Sequence, residues 1–158
     1  MLAIRNAVVM SKPYNVILLD TRMPDMDALE LVKRMRQEQL PTTALLPMLY
    51  SSDIPQQVAR FEQNQRDAYL VKPTTRRGLF RAIGSKLAND NGANPRHHLD
   101  KLVGDPARPL PRSKMRILVA EDSIDNRFLI EAYLRAEPCT LTFVQGRRRF
   151  DFFGPPVR

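Results

Sequence analysis

Val16-Ile17-Leu18-Leu19 is an unbroken apolar run that stops at Asp20. A strand with one wet face alternates apolar and polar residues. A continuous run is dry on both faces, as in a parallel sheet with helices above and below. Parallel neighbours need crossover connections, so helical patterns should separate the strands. They do: Ala28, Leu31, Val32 and Met35 fall at i, i+3, i+4 and i+7, one face of a helix.

The alternation continues. Ala44 to Tyr50 reads as a second strand, with a late start or an irregularity expected at Pro47, which has no N–H for the ladder. Ile54 to Gln63 is a short helical pattern. Ala68-Tyr69-Leu70-Val71 reads as a third strand ending at Lys72-Pro73. Thr74 or Thr75 can then cap a helix with Leu79, Ala82, Ile83 and Leu87 on one face. The periodicity lapses over residues 89–114, where Gly92, Pro95, Gly104, Pro106, Pro109 and Pro111 mark a linker. His97-His98 lies there without further ligands and reads as a solvated pair.

The pattern restarts with a strand from Met115 to Ala120 that meets Glu121-Asp122. Ser123 or Asp125 can cap a helix whose Leu129, Ala132, Tyr133 and Ala136 share a face, and Pro138 ends it. Leu141 to Val144 is a further apolar run. The expected organisation is therefore 1–88, a linker over 89–114, 115–145, and a frayed tail over 146–158.

Hydrophobic residues make up 43% of the 158 and charged ones 27%, which excludes wholesale disorder. No apolar run approaches the ~18–20 residues of a membrane span. A single cysteine, Cys139, excludes an internal disulfide and a cysteine-built zinc cluster. The net charge of +8 forms no long stripe, only Arg76-Arg77 and Arg147-Arg148-Arg149, so it reads as solvated surface rather than a nucleic-acid footprint. A cytoplasmic chain is expected.

In a doubly wound sheet, functional groups collect at the carboxyl ends of the strands. Asp20, Ser51, Lys72, Glu121 and Asp122 all stand at such ends. Three carboxylates together repel unless a cation lies among them, and a hard ion such as Mg²⁺ prefers those oxygens. With a lysine and a hydroxyl, such a group can receive a phosphoryl on a carboxylate.

These residues resemble the receiver domain of response regulators. Tyr14-Asn15-Val16-Ile17-Leu18-Leu19-Asp20-Thr21-Arg22-Met23-Pro24-Asp25-Met26-Asp27 is similar to its phosphoacceptor strand and Met-Pro loop. Asp67-Ala68-Tyr69-Leu70-Val71-Lys72-Pro73 is similar to its fifth strand, and Ile117-Leu118-Val119-Ala120-Glu121-Asp122-Ser123 to its first. The resemblance implies an α/β, flavodoxin-like fold with a five-stranded parallel sheet. It implies Asp20 as phosphoacceptor, with Mg²⁺ held by Asp20, Asp122 and the Arg22 carbonyl, and by Glu121 through water. Ser51 and Lys72 would contact phosphoryl oxygens, and Tyr69 would be the aromatic switch. The implied partner is a histidine kinase or a histidine phosphotransfer domain, and the chain is a phosphoacceptor rather than a conventional enzyme. A degenerate receiver that only docks partners is the alternative.

The family's strand order is altered, because the acidic-pair strand comes last. Genetically this reads as a fragment spanning two receivers of a hybrid histidine kinase or tandem-receiver protein. Physically the parts are complementary: the first supplies strands three to five of the family order, and the second supplies strands one and two. Each alone leaves a sheet edge and an apolar face uncovered. We therefore expect a circular permutant opened within the second helix, with residues 2–11 as the rest of that helix and Leu118 beside Leu18. A connection of about 26 residues reaches ~90 Å when extended, so span is no obstacle.

Overall fold

The computed structural model describes residues 2–22, 35, 37, 44–54, 69–87, 110 and 114–144. The expected helix around Ala28, Leu31 and Val32, nearly all of the one from Ile54, the Met-Pro loop, His97-His98 and the tail lie outside the described residues. So does the linker, except for Leu110 and Lys114.

Helix α1 spans Leu2–Val9, β1 Val16–Asp20, β2 Ala44–Tyr50, β3 Leu70–Lys72, α2 Arg76–Leu87, β4 Met115–Ala120, α3 Ile124–Leu134 and β5 Cys139–Val144. All strands lie in one parallel five-stranded sheet of order β3-β2-β1-β4-β5. The acidic-pair strand β4 thus sits beside β1, with Leu118 opposite Ile17 and Val119 opposite Leu18. That is one residue away from the expected Leu118–Leu18 pairing. Read from β5, the order is the 2-1-3-4-5 of flavodoxin-like sheets, begun at a different point in the chain.

Every residue of β1 is buried, as the run predicted. One face of the sheet packs Leu18, Met48, Ile117 and Val119 against Leu79 and Ile83 of α2 and Ile130 and Leu134 of α3. The other packs Ile17, Leu19, Leu118 and Ala120 against Ile4 and Ala7 of α1. Leu110, inside the expected linker, is buried in the first of these cores, so the connection is tied to the domain at that point.

Helix α1 ends earlier than residue 11. The Lys12 N–H bonds Ala7 C=O at 2.8 Å and the Ser11 N–H bonds Val8 C=O at 2.9 Å, with Ser11 at φ 54. This is a Schellman stop, with serine where glycine is usual. Thr75, not Thr74, caps α2 by accepting the Gly78 N–H at 3.1 Å, and Ser123 caps α3 by accepting the Asn126 N–H.

Four further expectations need correction. Strand β2 runs through Pro47 without a break. In a parallel ladder, alternate residues face alternate neighbours. The Ala44 N–H bonds the Asn15 carbonyl on the β1 side, so Pro47 directs its nitrogen toward β3. Among the described residues β3 pairs from Met48 onward, so the missing N–H takes no bond from that part of the ladder. Strand β3 begins at Leu70, after Tyr69, and β5 begins at Cys139, before Leu141. In α3 the buried residues are Ile130 and Leu134, while Ala132 and Ala136 face solvent. Apolar residues surround that helix, Ile124 and Phe128 being exposed, so periodicity alone did not fix its rotation.

Candidate functional site

Three of the sequence-predicted residues meet at the carboxyl end of the sheet. Asp20 ends β1, Glu121 follows the adjacent β4, and Lys72 ends β3. Strand β2 lies between β3 and β1, so Lys72 must reach over its end, past the Tyr50 ring, 4.9 Å from Nζ to the centroid. The ammonium then meets Asp20 Oδ2 at 2.8 Å and Glu121 Oε2 at 2.6 Å. Exposure is 5% for Lys72, 4% for Asp20 and 1% for Glu121, so all three side chains are buried.

The remaining carboxylate oxygens are held by backbone. The Arg22 N–H donates to Asp20 Oδ1 at 3.0 Å, and the Ser123 N–H donates to Glu121 Oε1 at 3.0 Å. Both donors stand two residues beyond the acid, where the chain turns off its strand. Among the described residues no buried side-chain nitrogen or oxygen lacks a partner.

One ammonium serves two carboxylates, so the cluster carries an excess negative charge. Burial pushes the Lys72 ammonium down, yet its bonds to Asp20 and Glu121 outweigh this and hold its pKa above the ordinary value. Burial pushes the Glu121 carboxyl up; Lys72 and the Ser123 N–H oppose this, but the Asp20 charge adds to it. The two shifts pull opposite ways on one ion pair, because burial prevails at Glu121 whereas at Lys72 the two carboxylate partners prevail over it. Hard oxygens with surplus negative charge fit a small divalent cation. With Lys72 between the acids, no group of three or more His, Cys, Asp or Glu is disposed around a metal among the described residues.

The other predicted residues stand around this cluster. Asp122 follows Glu121 and is half-buried. Ser51 opens a short 3-10 turn, Ser51–Asp53, after β2 and is exposed. Tyr69 is buried immediately before β3. The side chain of Arg22 was missed, as were Tyr50, Ser52 and Asp53. Its guanidinium bonds Asp53 Oδ2 and Oδ1 at 2.7 and 2.6 Å. No periodicity marks that pair, 31 residues apart in sequence; only the adjacency of β1 and β2 brings it together.

Among the described residues no helix is long and apolar enough to cross a membrane. A family model described as the response regulator receiver domain matches residues 3–84. Histidine kinase 1 of Arabidopsis thaliana is 35% identical over 75 residues, 46% of this chain and 6% of that relative. The chain therefore spans only a small part of that relative's length, and no solved structure matches it. Receiver domains serve phosphorelay signalling in two-component systems, with histidine kinases or phosphotransfer proteins as partners, and generally bind Mg²⁺ at the phosphorylation site. The family match, over more than half of the residues, agrees with the flavodoxin-like sheet order, and the chain belongs to the response regulator receiver domain family.

Proposed function

We propose that this chain takes a phosphoryl group from a phosphohistidine onto Asp20. The observation that carries the reading is the Lys72 ammonium, 2.8 Å from Asp20 and 2.6 Å from Glu121 at the buried ends of three strands. A carboxylate oxygen of Asp20 attacks phosphorus, forming the O–P bond as the P–N bond breaks. The electron pair leaves with the imidazole nitrogen, which takes up a proton. The Arg22 N–H fixes the Asp20 carboxylate during this step. Lys72 shifts its ammonium from the carboxylates to the phosphoryl oxygens as charge spreads over them, and the Ser51 hydroxyl donates to another. Bound Mg²⁺, held by Asp20, Asp122, the Arg22 carbonyl and Glu121, would supply further neutralisation of those oxygens. The phosphorylated state then draws Ser51 and Tyr69 inward and alters the neighbouring face.

In this reading residues 1–88 and 115–145 are the two parts of one permuted receiver joined by 89–114, with 146–158 a tail, and it works in the cytoplasm. The test is incubation of the full chain with a small phosphoryl donor and Mg²⁺, read by intact mass. A gain of about 80 Da, absent from Asp20→Asn, is expected. No such gain in the unaltered chain overturns the reading and leaves a docking module that accepts no phosphoryl.

A further inference from the structure

Strand β5 ends the sheet on the side away from β3. In its parallel ladder with β4, alternate residues face alternate sides. The Met115 N–H donates to the Pro138 carbonyl at 2.9 Å and the Glu121 N–H to the Val144 carbonyl at 3.3 Å. Thr140, Thr142 and Val144 therefore turn their backbone groups toward β4, and Cys139, Leu141 and Phe143 turn theirs outward. The Cys139 N–H bonds the Glu137 carbonyl at 2.7 Å. Among the described residues nothing pairs with the N–H and C=O of Leu141 and Phe143. Edge strands that stay single carry a charge, a proline or a bulge. Cys139–Val144 has no charge, proline or glycine, and it pairs with β4 residue for residue without a bulge.

Helix α3 adds an apolar border to this edge. The Arg127 guanidinium lies over the Phe143 ring, 5.0 Å from its centroid, so that flank of α3 stands above β5. Ile124, Arg127, Phe128 and Glu131 follow the i, i+3, i+4, i+7 spacing of one helical stripe. Ile124 and Phe128 are 61% and 66% exposed, while Ile130 and Leu134 on the neighbouring face fill the core.

We propose that β5 pairs with β5 of a second copy of this chain, antiparallel and centred on Thr142, in a two-fold dimer. Leu141 of each copy then exchanges both backbone bonds with Phe143 of the other, and the two Thr142 side chains meet across the axis. That axis is perpendicular to the sheet, so both copies of α3 stay on the same face with their Ile124–Phe128 stripes beside the junction. A lone extended peptide would satisfy the strand edge and leave the stripe in water; a second copy covers both. The stripe carries one cation, Arg127, and one anion, Glu131, so it does not repel its own copy. The junction uses none of Asp20, Lys72 and Glu121, and it stands apart from the phosphoacceptor reading.

The test is sedimentation velocity of the full chain from about 1 µM to 1 mM, the range of weak interfaces. The sedimenting mass should double across that range. Thr142→Lys and Thr142→Asp each set like charges face to face at the axis and should hold the mass at that of one chain. Mixed in equal amounts, the two variants should restore the doubled mass. Rescue by the mixture separates loss of pairing from loss of folding, because a chain that fails to fold gains nothing from its opposite. Phe128→Glu should raise the concentration needed for dimer by about tenfold. Hydrogen exchange at the Leu141 and Phe143 amides should slow as the dimer fills, whereas that of Thr142, which faces β4, should not change. A single-chain mass throughout, or no recovery in the mixture, overturns the proposal. Protection of the Leu141 and Phe143 amides in the single-chain state would mean that the chain covers its own edge, and overturns it as well.

Discussion

Asn15 and Arg116 exchange two hydrogen bonds across 101 residues of chain: the Asn15 N–H donates to the Arg116 carbonyl, and the Arg116 N–H donates to Asn15 Oδ1, each at 2.8 Å. The Asn15 side chain thereby stands in for a backbone acceptor one step before β1 begins. The Arg116 guanidinium also donates to the Lys12 carbonyl and lies over the Tyr14 ring, 4.8 Å from its centroid. These contacts knit the two sequence-distant segments at the amino end of the sheet, opposite the acidic cluster. Asn15→Ala removes one of them at an exposed position and should cost about 0.5–1.5 kcal/mol. Urea unfolding followed by circular dichroism and by tyrosine fluorescence should give one coincident transition, shifted as a whole. Two separate transitions would mean that β4 and β5 do not fold with β1.

The acidic cluster predicts an asymmetry between its members. Lys72→Met leaves Asp20 and Glu121 buried without their cation, and removing one partner from such a group costs about 3–5 kcal/mol. Asp20→Asn removes instead the excess negative charge, leaving Lys72 with Glu121. That variant should be as stable as the unaltered chain or more so. Urea midpoints in Mg²⁺-free buffer check both, and equal losses would mean that the excess charge is not felt.

The sheet and three members of this cluster were legible because apolar runs ending in a charge are local signals. Val16 to Leu19 ending at Asp20 declares a buried parallel strand, and Lys72 and Glu121 mark their strand ends in the same way. What the runs could not show was lateral. Pro47 reads as a disruption until β3 is seen to begin only beside Met48. The rotation of α3 was hidden because Leu129 and Ile130 are both apolar, and only packing chose Ile130. The register moved by one residue for a similar reason, since Leu118 and Val119 serve equally well opposite Leu18 in a strand buried on both faces. Asp53 gave no signal, because its partner comes from a neighbouring strand end.

Ser11 holds φ at 54, where a side chain crowds the backbone and glycine does not. The Schellman bonds that require this conformation, from Lys12 to Ala7 and from Ser11 to Val8, use backbone atoms only. Ser11→Gly should therefore keep them and relieve the crowding. Glycine's freedom in the unfolded chain offsets part of the gain, so stability should rise by about 0.5–1 kcal/mol. Ser11→Val should move the urea midpoint the other way, because a β-branched side chain tolerates that region least.

Cys139 gives a pH dependence with a defined sign. It opens β5, its Sγ lies 3.7 Å from the Leu134 carbonyl, and it is half-buried. Burial pushes the thiol up from its ordinary 9.0, and the nearby Glu137 charge adds to this. The folded chain therefore holds the thiol proton more tightly than the unfolded chain does. Stability from this group is fully present below pH 9.0 and is lost as pH rises through the folded value. Thiolate is the species that reacts with iodoacetamide, so the alkylation profile reports the shift directly. In the native chain its midpoint should lie above that measured in urea, and Glu137→Gln should move it part of the way back. Coincident native and urea profiles would mean that the edge of β5 is open to water at Cys139.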